Sequence, residues 1–177
     1  MIEKAIRASR LDIPVYNEVE RDLNETTNAL IIVVAVAIAS GIGAIGQNVG
    51  VGGIIAGVLA ALIGWVVRAF VIYFIGTRVY NATATTGEIL RTTGYAAAPG
   101  ILNVLGIIPG IGGLITLVVS IWTIVTTFIA TREALDLDNT KTLITIILAF
   151  VVFFAIALVL GIILGVGAAA IGIATGS

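Results

Sequence analysis

Three short clusters hold nearly all the charge of this 177-residue chain, and long apolar runs separate them. Residues 1–28 carry Lys4, Arg7, Arg10 and Arg21 against Glu3, Asp12, Glu18, Glu20, Asp22 and Glu25. Residues 78–91 carry Arg78, Glu88 and Arg91, and residues 132–141 carry Arg132, Glu133, Asp136, Asp138 and Lys141. Arg68 stands alone, and nothing after Lys141 is charged. A helix crosses a bilayer core with roughly 20 apolar residues. The runs lie at about 29–46, 51–76, 92–108, 109–130 and 142–175; the third is the shortest and the last exceeds that length. Only 11% of residues are charged and 59% are hydrophobic, where a soluble domain has about 25% and 45–50%. So few polar groups cannot cover a core in water. The chain reads as an all-α integral membrane protein, with an amphipathic cytoplasmic or interfacial segment at 1–28 and a transmembrane domain at 29–177.

The third run decides the topology. "GYAAAPGILNVLGIIPGIGG" (94–113) holds six glycines, two prolines and Asn103, and it is short for a crossing helix. Basic residues collect in cytoplasmic loops. If this run crosses, every charged loop shares the side of the N-terminus, and the alternate loops near 46–50 and 107–110 carry no charge. If it dips and returns, Arg132 and Lys141 move outside. Five crossings are therefore expected, with the N-terminus in, the C-terminus out, and the third helix broken at Pro99–Gly100. Proline removes a backbone donor, and lipid cannot satisfy the freed carbonyl. That places this crossing inside the bundle, with Asn103 facing a partner helix and Pro109 opening the fourth helix.

The N-terminal segment is too charged to read as a signal peptide. Ile2, Ala5, Ile6 and Ser9 share one helical face beside Lys4, Arg7 and Arg10, which suits a short helix on a membrane surface. Asp12 and Pro14 mark a second helix start. The alternative is a solvated tail with chance periodicity.

Cysteine and histidine are absent, and Met1 is the only methionine. Disulfides, thiolate or imidazole metal sites and Ser–His dyads are excluded. The net charge of −1 offers no basic field for nucleic acid. No catalytic, cofactor or metal site is expected. "GIGAIG" (41–46) fits G-x-G-x-x-G but lies at the end of a membrane helix, not in a βαβ unit.

Small residues mark packing faces. On run two these are Gly53, Gly57, Ala60 and Gly64, with Arg68 extending the face. On run five they are Gly161, Gly165 and Gly172. Arg68 is a candidate buried charge that needs an anionic group, Glu88, an N-terminal carboxylate or free carbonyls near Pro99. The alternative is an arginine that snorkels to the interface, ~15 Å along the helix from Arg78. Run four carries Thr116, Ser120, Thr123 and Thr127, hydroxyls suited to interhelical or local hydrogen bonds.

The stretch "TTGYAAAPG…IIPGIGGLI…IW…ATREALDLDNTKTL" (92–143), with "PVYNEVERD" (14–22) ahead of it, resembles the YIP family of Ypt/Rab-interacting membrane proteins, prokaryotic branch. Gly94, Tyr95, Pro99, Pro109 and Trp122 carry the likeness. The resemblance implies five transmembrane helices, a prokaryotic cytoplasmic membrane and a non-enzymatic scaffold or adaptor. Eukaryotic members bind Rab-type GTPases through longer N-termini, so GTPase binding is not expected of about 28 residues. The expected surroundings are the lipid bilayer and a membrane-protein partner or further copies of the chain. The alternatives are an accessory subunit of a larger membrane complex, or a small transporter or channel lined by Arg68 and the run-four hydroxyls.

Overall fold

The computed structural model describes residues 1–45 and 50–175, with side chains described through 159 and at Ile162. Seven α-helices follow one another: α1 (Ile2–Ser9), α2 (Ile13–Arg21), α3 (Glu25–Gly43), α4 (Val51–Tyr80), α5 (Thr86–Ala96), α6 (Gly112–Leu135) and α7 (Asn139–Thr175). A 3-10 helix, Ala98–Ile107, lies between α5 and α6. Among the described residues, four helices, α3, α4, α6 and α7, are long and apolar enough to cross a membrane.

The helices outrun the apolar stretches that mark them. α3 starts at Glu25, a turn before Ala29, and α4 continues to Tyr80. Left-handed caps, not hydrophobicity, set the C-terminal ends of α4 and α6. α4 stops where Asn81 turns left-handed (φ 56°), and α6 stops where Asp136 does the same (φ 49°). The Leu137 amide then reaches back to the Arg132 carbonyl at 3.2 Å, the 6→1 closure of a left-handed cap. α5 opens on a reciprocal capping box, in which the Thr85 hydroxyl accepts from the Glu88 amide and the Glu88 carboxylate accepts from the Thr85 amide. That arrangement satisfies two orphan donors at once.

The interruption expected at Pro99–Gly100 begins slightly earlier and is longer than a kink. α5 ends at Ala96, and ten residues of 3-10 helix follow. Pro99 donates nothing, and the Gly100 amide donates to Ala97, three residues back, at 2.8 Å. The Ala96 carbonyl thereby loses its usual α-helical donor at Gly100. Thr126 on α6 supplies one instead, its hydroxyl donating to Ala96 at 2.7 Å. Pro109 lies before α6, not within it. Ile108 to Ile111 make a turn around Gly110 (φ 84°), a backbone that glycine adopts without strain.

Close approaches fix how this segment lies. A Cβ at Gly94 would sit 2.6 Å from the Ala29 Cβ, and one at Gly100 would sit 2.6 Å from Val36. Asn103 donates its amide to Ser40 at 3.1 Å, and a Cβ at Gly43 would overlap the Asn103 carbonyl at 2.0 Å. Residues 94–106 therefore run alongside α3 in the same direction, from Ala29 to Gly43. α6 returns beside them, starting where Gly112 meets Gly106 and passing Thr126 against Ala96. The core has two parts. Tyr16, Val19, Ala29, Trp65, Tyr95 and Ala130 form one, and Ile72, Ile75, Ile89, Leu135 and Ala149 form the other.

Gly94→Leu is expected to lower stability by about 1–3 kcal/mol through overpacking. Gly57→Ala, where an added Cβ meets nothing within 4 Å, should leave it unchanged or raise it by up to about 1 kcal/mol. Thermal melting of the two purified variants in one detergent checks this. Equal losses at both positions would contradict the close packing at Gly94.

Candidate functional site

The charged end of the bundle is built by folding the N-terminal segment back onto it. α1 and α2 bury Ala8, Val15, Tyr16 and Val19 completely against Ala29, Trp65, Tyr95 and Ala130. The Leu11 left-handed turn (φ 64°) reverses the chain between them, and the Tyr16 hydroxyl donates to the Ala8 carbonyl at 3.1 Å across that turn.

Three polar anchors hold the pair down. The first is Glu25, only 5% exposed. Its carboxylate accepts from Lys4 of α1 at 2.6 Å, from Asn28 at 2.7 Å and from the hydroxyl of fully buried Tyr95. A buried carboxylate is tolerated only when it is paired and hydrogen-bonded in this way. The second is Arg91, 4% exposed. Its Nε lies 3.0 Å from both the Val19 and Glu20 carbonyls, Nη2 also donates to Glu20, and Nη1 reaches the Thr26 hydroxyl at 3.4 Å. These are carbonyls at the end of α2, which have no helical donor. The third is Trp122, whose indole N–H donates to the Ser9 carbonyl at the end of α1 (2.8 Å). Asn17 adds a contact to Glu133 at 3.2 Å.

Charge pairs outside the membrane-spanning helices reinforce this end. Arg7 bonds Asp12 at 2.6 Å and Glu18 at 2.8 Å. The bond from Arg7 holds the Glu18 carboxyl below its ordinary 4.5. Lys4 is held above its ordinary 10.5 by its bond to Glu25. Glu20 is pushed up, first by burial and then by the charges of Glu88 and Asp136.

The residues that carry the family likeness fall on this scaffold. Gly94 touches Ala29 and Trp65, Tyr95 bonds Glu25, Trp122 bonds Ser9, Pro99 sits near the start of the 3-10 helix and Pro109 lies in the turn before α6. The sequence pattern does not reveal Glu25, Lys4 and Arg91 as anchors. There they look like loop charges, and their partners are up to 72 residues away. The one available signal is position, because Arg91 directly precedes the third apolar run.

Arg68 lies elsewhere. None of its expected partners reaches it, since Glu88 caps its own helix and Glu25 is bound by Lys4 and Tyr95. Arg68 lines a cavity of about 730 Å3 with Gly53, Gly57 and Gly64, and a second of about 420 Å3 against α6 and α7. Gly64 makes an ordinary contact with Phe153, and Gly57 faces open space. The surroundings of Gly161, Gly165 and Gly172 lie outside the described residues. Thr116, Ser120 and Thr123 donate to their own helix four residues back, and the Asn103 Oδ1 is buried without a partner.

Two variants test the anchors. Arg91→Met and Tyr95→Phe should each weaken docking of α1 and α2 by about 1–3 kcal/mol, since a bond to or from a charged group is removed. Hydrogen exchange should speed up at residues 2–21 and stay slow in α4 and α6. Uniform acceleration would show that the anchors are not local.

The pH dependence has a definite sign. Glu18 is depressed, so its contribution is present above pH 4.5 and fades as pH falls through its lowered value. Lys4 is raised, so its contribution is present below pH 10.5 and fades only at higher pH. Glu20 is raised, so the cost of burying its charge appears as pH rises past 4.5. Exchange at residues 2–21, corrected for intrinsic rates, should rise on acidification below 4.5 as the Glu18 contribution is lost. Glu18→Gln should remove part of that acid rise.

Comparison with known proteins gives one relation: the family model described as Yip1 domain matches residues 15–173. No curated protein and no solved structure matches the chain.

Proposed function

The chain belongs to the Yip1 domain family, and from that premise we propose that this multi-pass membrane protein is a non-enzymatic scaffold or adaptor. The observation that supports this reading is the docked N-terminal pair. Anchors from α3, α5 and α6 hold two amphipathic helices rigidly across one end of the bundle. That builds a fixed polar face from α2, the 81–85 link and the 136–138 link. A preorganised surface binds a partner without ordering cost, which is what an adaptor requires.

The topology we propose is five crossings with the N-terminus and every charged loop in the cytoplasm. The length of the third segment supports it. Eleven α-helical residues rise about 16 Å and ten 3-10 residues about 20 Å, together more than the ~30 Å hydrocarbon core. The 3-10 geometry thus lengthens a run that an α-helix would leave short. Its course alongside α3 from Ala29 to Gly43 supports the same reading. The absence of charge after Lys141 agrees with an outward C-terminus, and the proposed location is a prokaryotic cytoplasmic membrane. The proposed partner is another membrane protein or a second copy of the chain.

Single cysteines at Gly50, Leu137 and Ser177 test the topology. An impermeant thiol reagent in intact cells should label Gly50→Cys and Ser177→Cys and spare Leu137→Cys, and the reverse pattern would overturn it. The scaffold reading is tested by photo-crosslinking from the exposed positions Glu18 and Thr83 in native membranes, followed by mass spectrometry. One recurrent protein partner at both positions is expected. Crosslinks to lipid alone would sink the proposal, and capture of many subunits of one stable assembly would favour an accessory-subunit role.

A further inference from the structure

Arg68 is the only charged residue lining either of the two cavities it borders, and both walls also include Thr123, Ile124 and Phe153. Among the described residues it makes no ion pair and no hydrogen bond. An arginine has five donors and does not deprotonate, so at a membrane-embedded site its compensation must come from outside the chain.

Packing gives its depth. Trp65, one turn earlier on α4, lies against Gly94 and donates to Thr93 at 3.2 Å. The neighbouring Tyr95 is bonded to Glu25, which also accepts from Lys4 and Asn28. Arg68 is therefore level with the polar layer of the charged end, on the neighbouring part of the same face of α4, where that helix borders the two cavities. That is the depth of a headgroup, not of the bilayer centre.

The two cavities divide the ligand's chemistry. The smaller, about 420 Å3, brings Thr123 and Thr127 beside Arg68. The larger, about 730 Å3, runs along α4 from Arg68 to Gly53. Fifteen residues of helix make that path ~22 Å long, more than the ~15 Å of one leaflet's hydrocarbon. Between Ile54 and Trp65 its α4 wall is built from Gly57, Ala60, Ala61 and Gly64, and a Cβ at Gly57 would meet nothing within 4 Å.

We propose that the paired cavities hold one anionic phospholipid of the surrounding bilayer. Its phosphate sits on the Arg68 guanidinium, and one acyl chain lies along the Gly57–Gly64 face of α4. The charge selects an anionic head, since guanidinium and phosphate form charge-assisted paired bonds. The length of the apolar path selects an attached chain over a free ion. A volume of this size is that of a ligand site, not of a packing defect.

The experiment uses the full chain purified in a zwitterionic detergent, with melting followed during titration by phosphatidylglycerol, phosphatidylcholine, palmitate or inorganic phosphate. Phosphatidylglycerol should stabilise the protein, while phosphatidylcholine and phosphate should not. Arg68→Gln should weaken that apparent affinity about tenfold. Gly57→Leu, which fills open space, should weaken it comparably. Arg78→Gln, at a cation 6.0 Å from the Phe74 ring, should leave it unchanged. If Arg68→Gln does not fold, Gly57→Leu decides. Equal responses in wild type, Gly57→Leu and Arg78→Gln, or an equal response to phosphatidylcholine, would overturn the site and leave Arg68 as a snorkelling residue. A full response to palmitate or phosphate would overturn the phospholipid as occupant.

Discussion

Gly94 approaches Ala29 so closely that even one added methyl group would have to displace it. Much of the charged end depends on that contact. It sets the start of the third segment beside the start of α3, which brings Tyr95 within reach of Glu25. A carboxylate in so buried a place survives only with several donors, and Tyr95, Lys4 and Asn28 supply them. Lys4 in turn commits α1 to the bundle. The same approach carries Arg91 under the end of α2, where two terminal carbonyls need donors. A tight backbone contact in the apolar part thus becomes a fixed arrangement of the polar part.

The 3-10 segment follows from the same need to keep every donor and acceptor matched. Proline removes a donor where no water can replace it. Shifting the register to i→i+3 keeps the remaining amides bonded but orphans the Ala96 carbonyl, and Thr126 closes that gap from α6. Runs of 3-10 helix beyond three or four residues are uncommon. This one is sustained by the flanking walls, α3 on one side and α6 on the other, and Gly100, Gly106 and Gly112 let those walls come close.

How legible all this was depended on the kind of interaction. Apolar runs and charge clusters reveal the helices, because burial in lipid is a one-dimensional signal. Pro99 and its glycines reveal that the third segment is broken, because the missing donor is a local fact. They do not reveal that it becomes 3-10, since that depends on neighbours able to carry the displaced bonds. The hydroxyl that matters, Thr126, lies one position off the periodic set Thr116, Ser120, Thr123 and Thr127. A hydroxyl that bonds across helices is chosen by what faces it, not by its own spacing. The tightest glycines, Gly43, Gly76, Gly94, Gly100 and Gly112, form no stripe on one helix for the same reason. The Glu25 and Arg91 anchors were invisible because a charge beside an apolar run reads as solvated until its distant partner is known.

The two arginines near the charged end of the bundle, Arg91 and Arg68, make the contrast concrete. Arg91 is almost fully buried, yet compensated, because the chain itself delivers the end of α2 to it. Arg68 sits at a similar depth on α4, beside the cavities, where neither α6 nor α7 brings it an acceptor carboxylate or a helix end. Closing α4 onto α6 there would bury the charge without a partner, at a cost of several kcal/mol. Holding the helices apart keeps the guanidinium accessible from the bilayer. The cavity and the unpaired charge are then one feature: the helices stay separated at the position where the chain lacks an anion and the surrounding membrane can provide one.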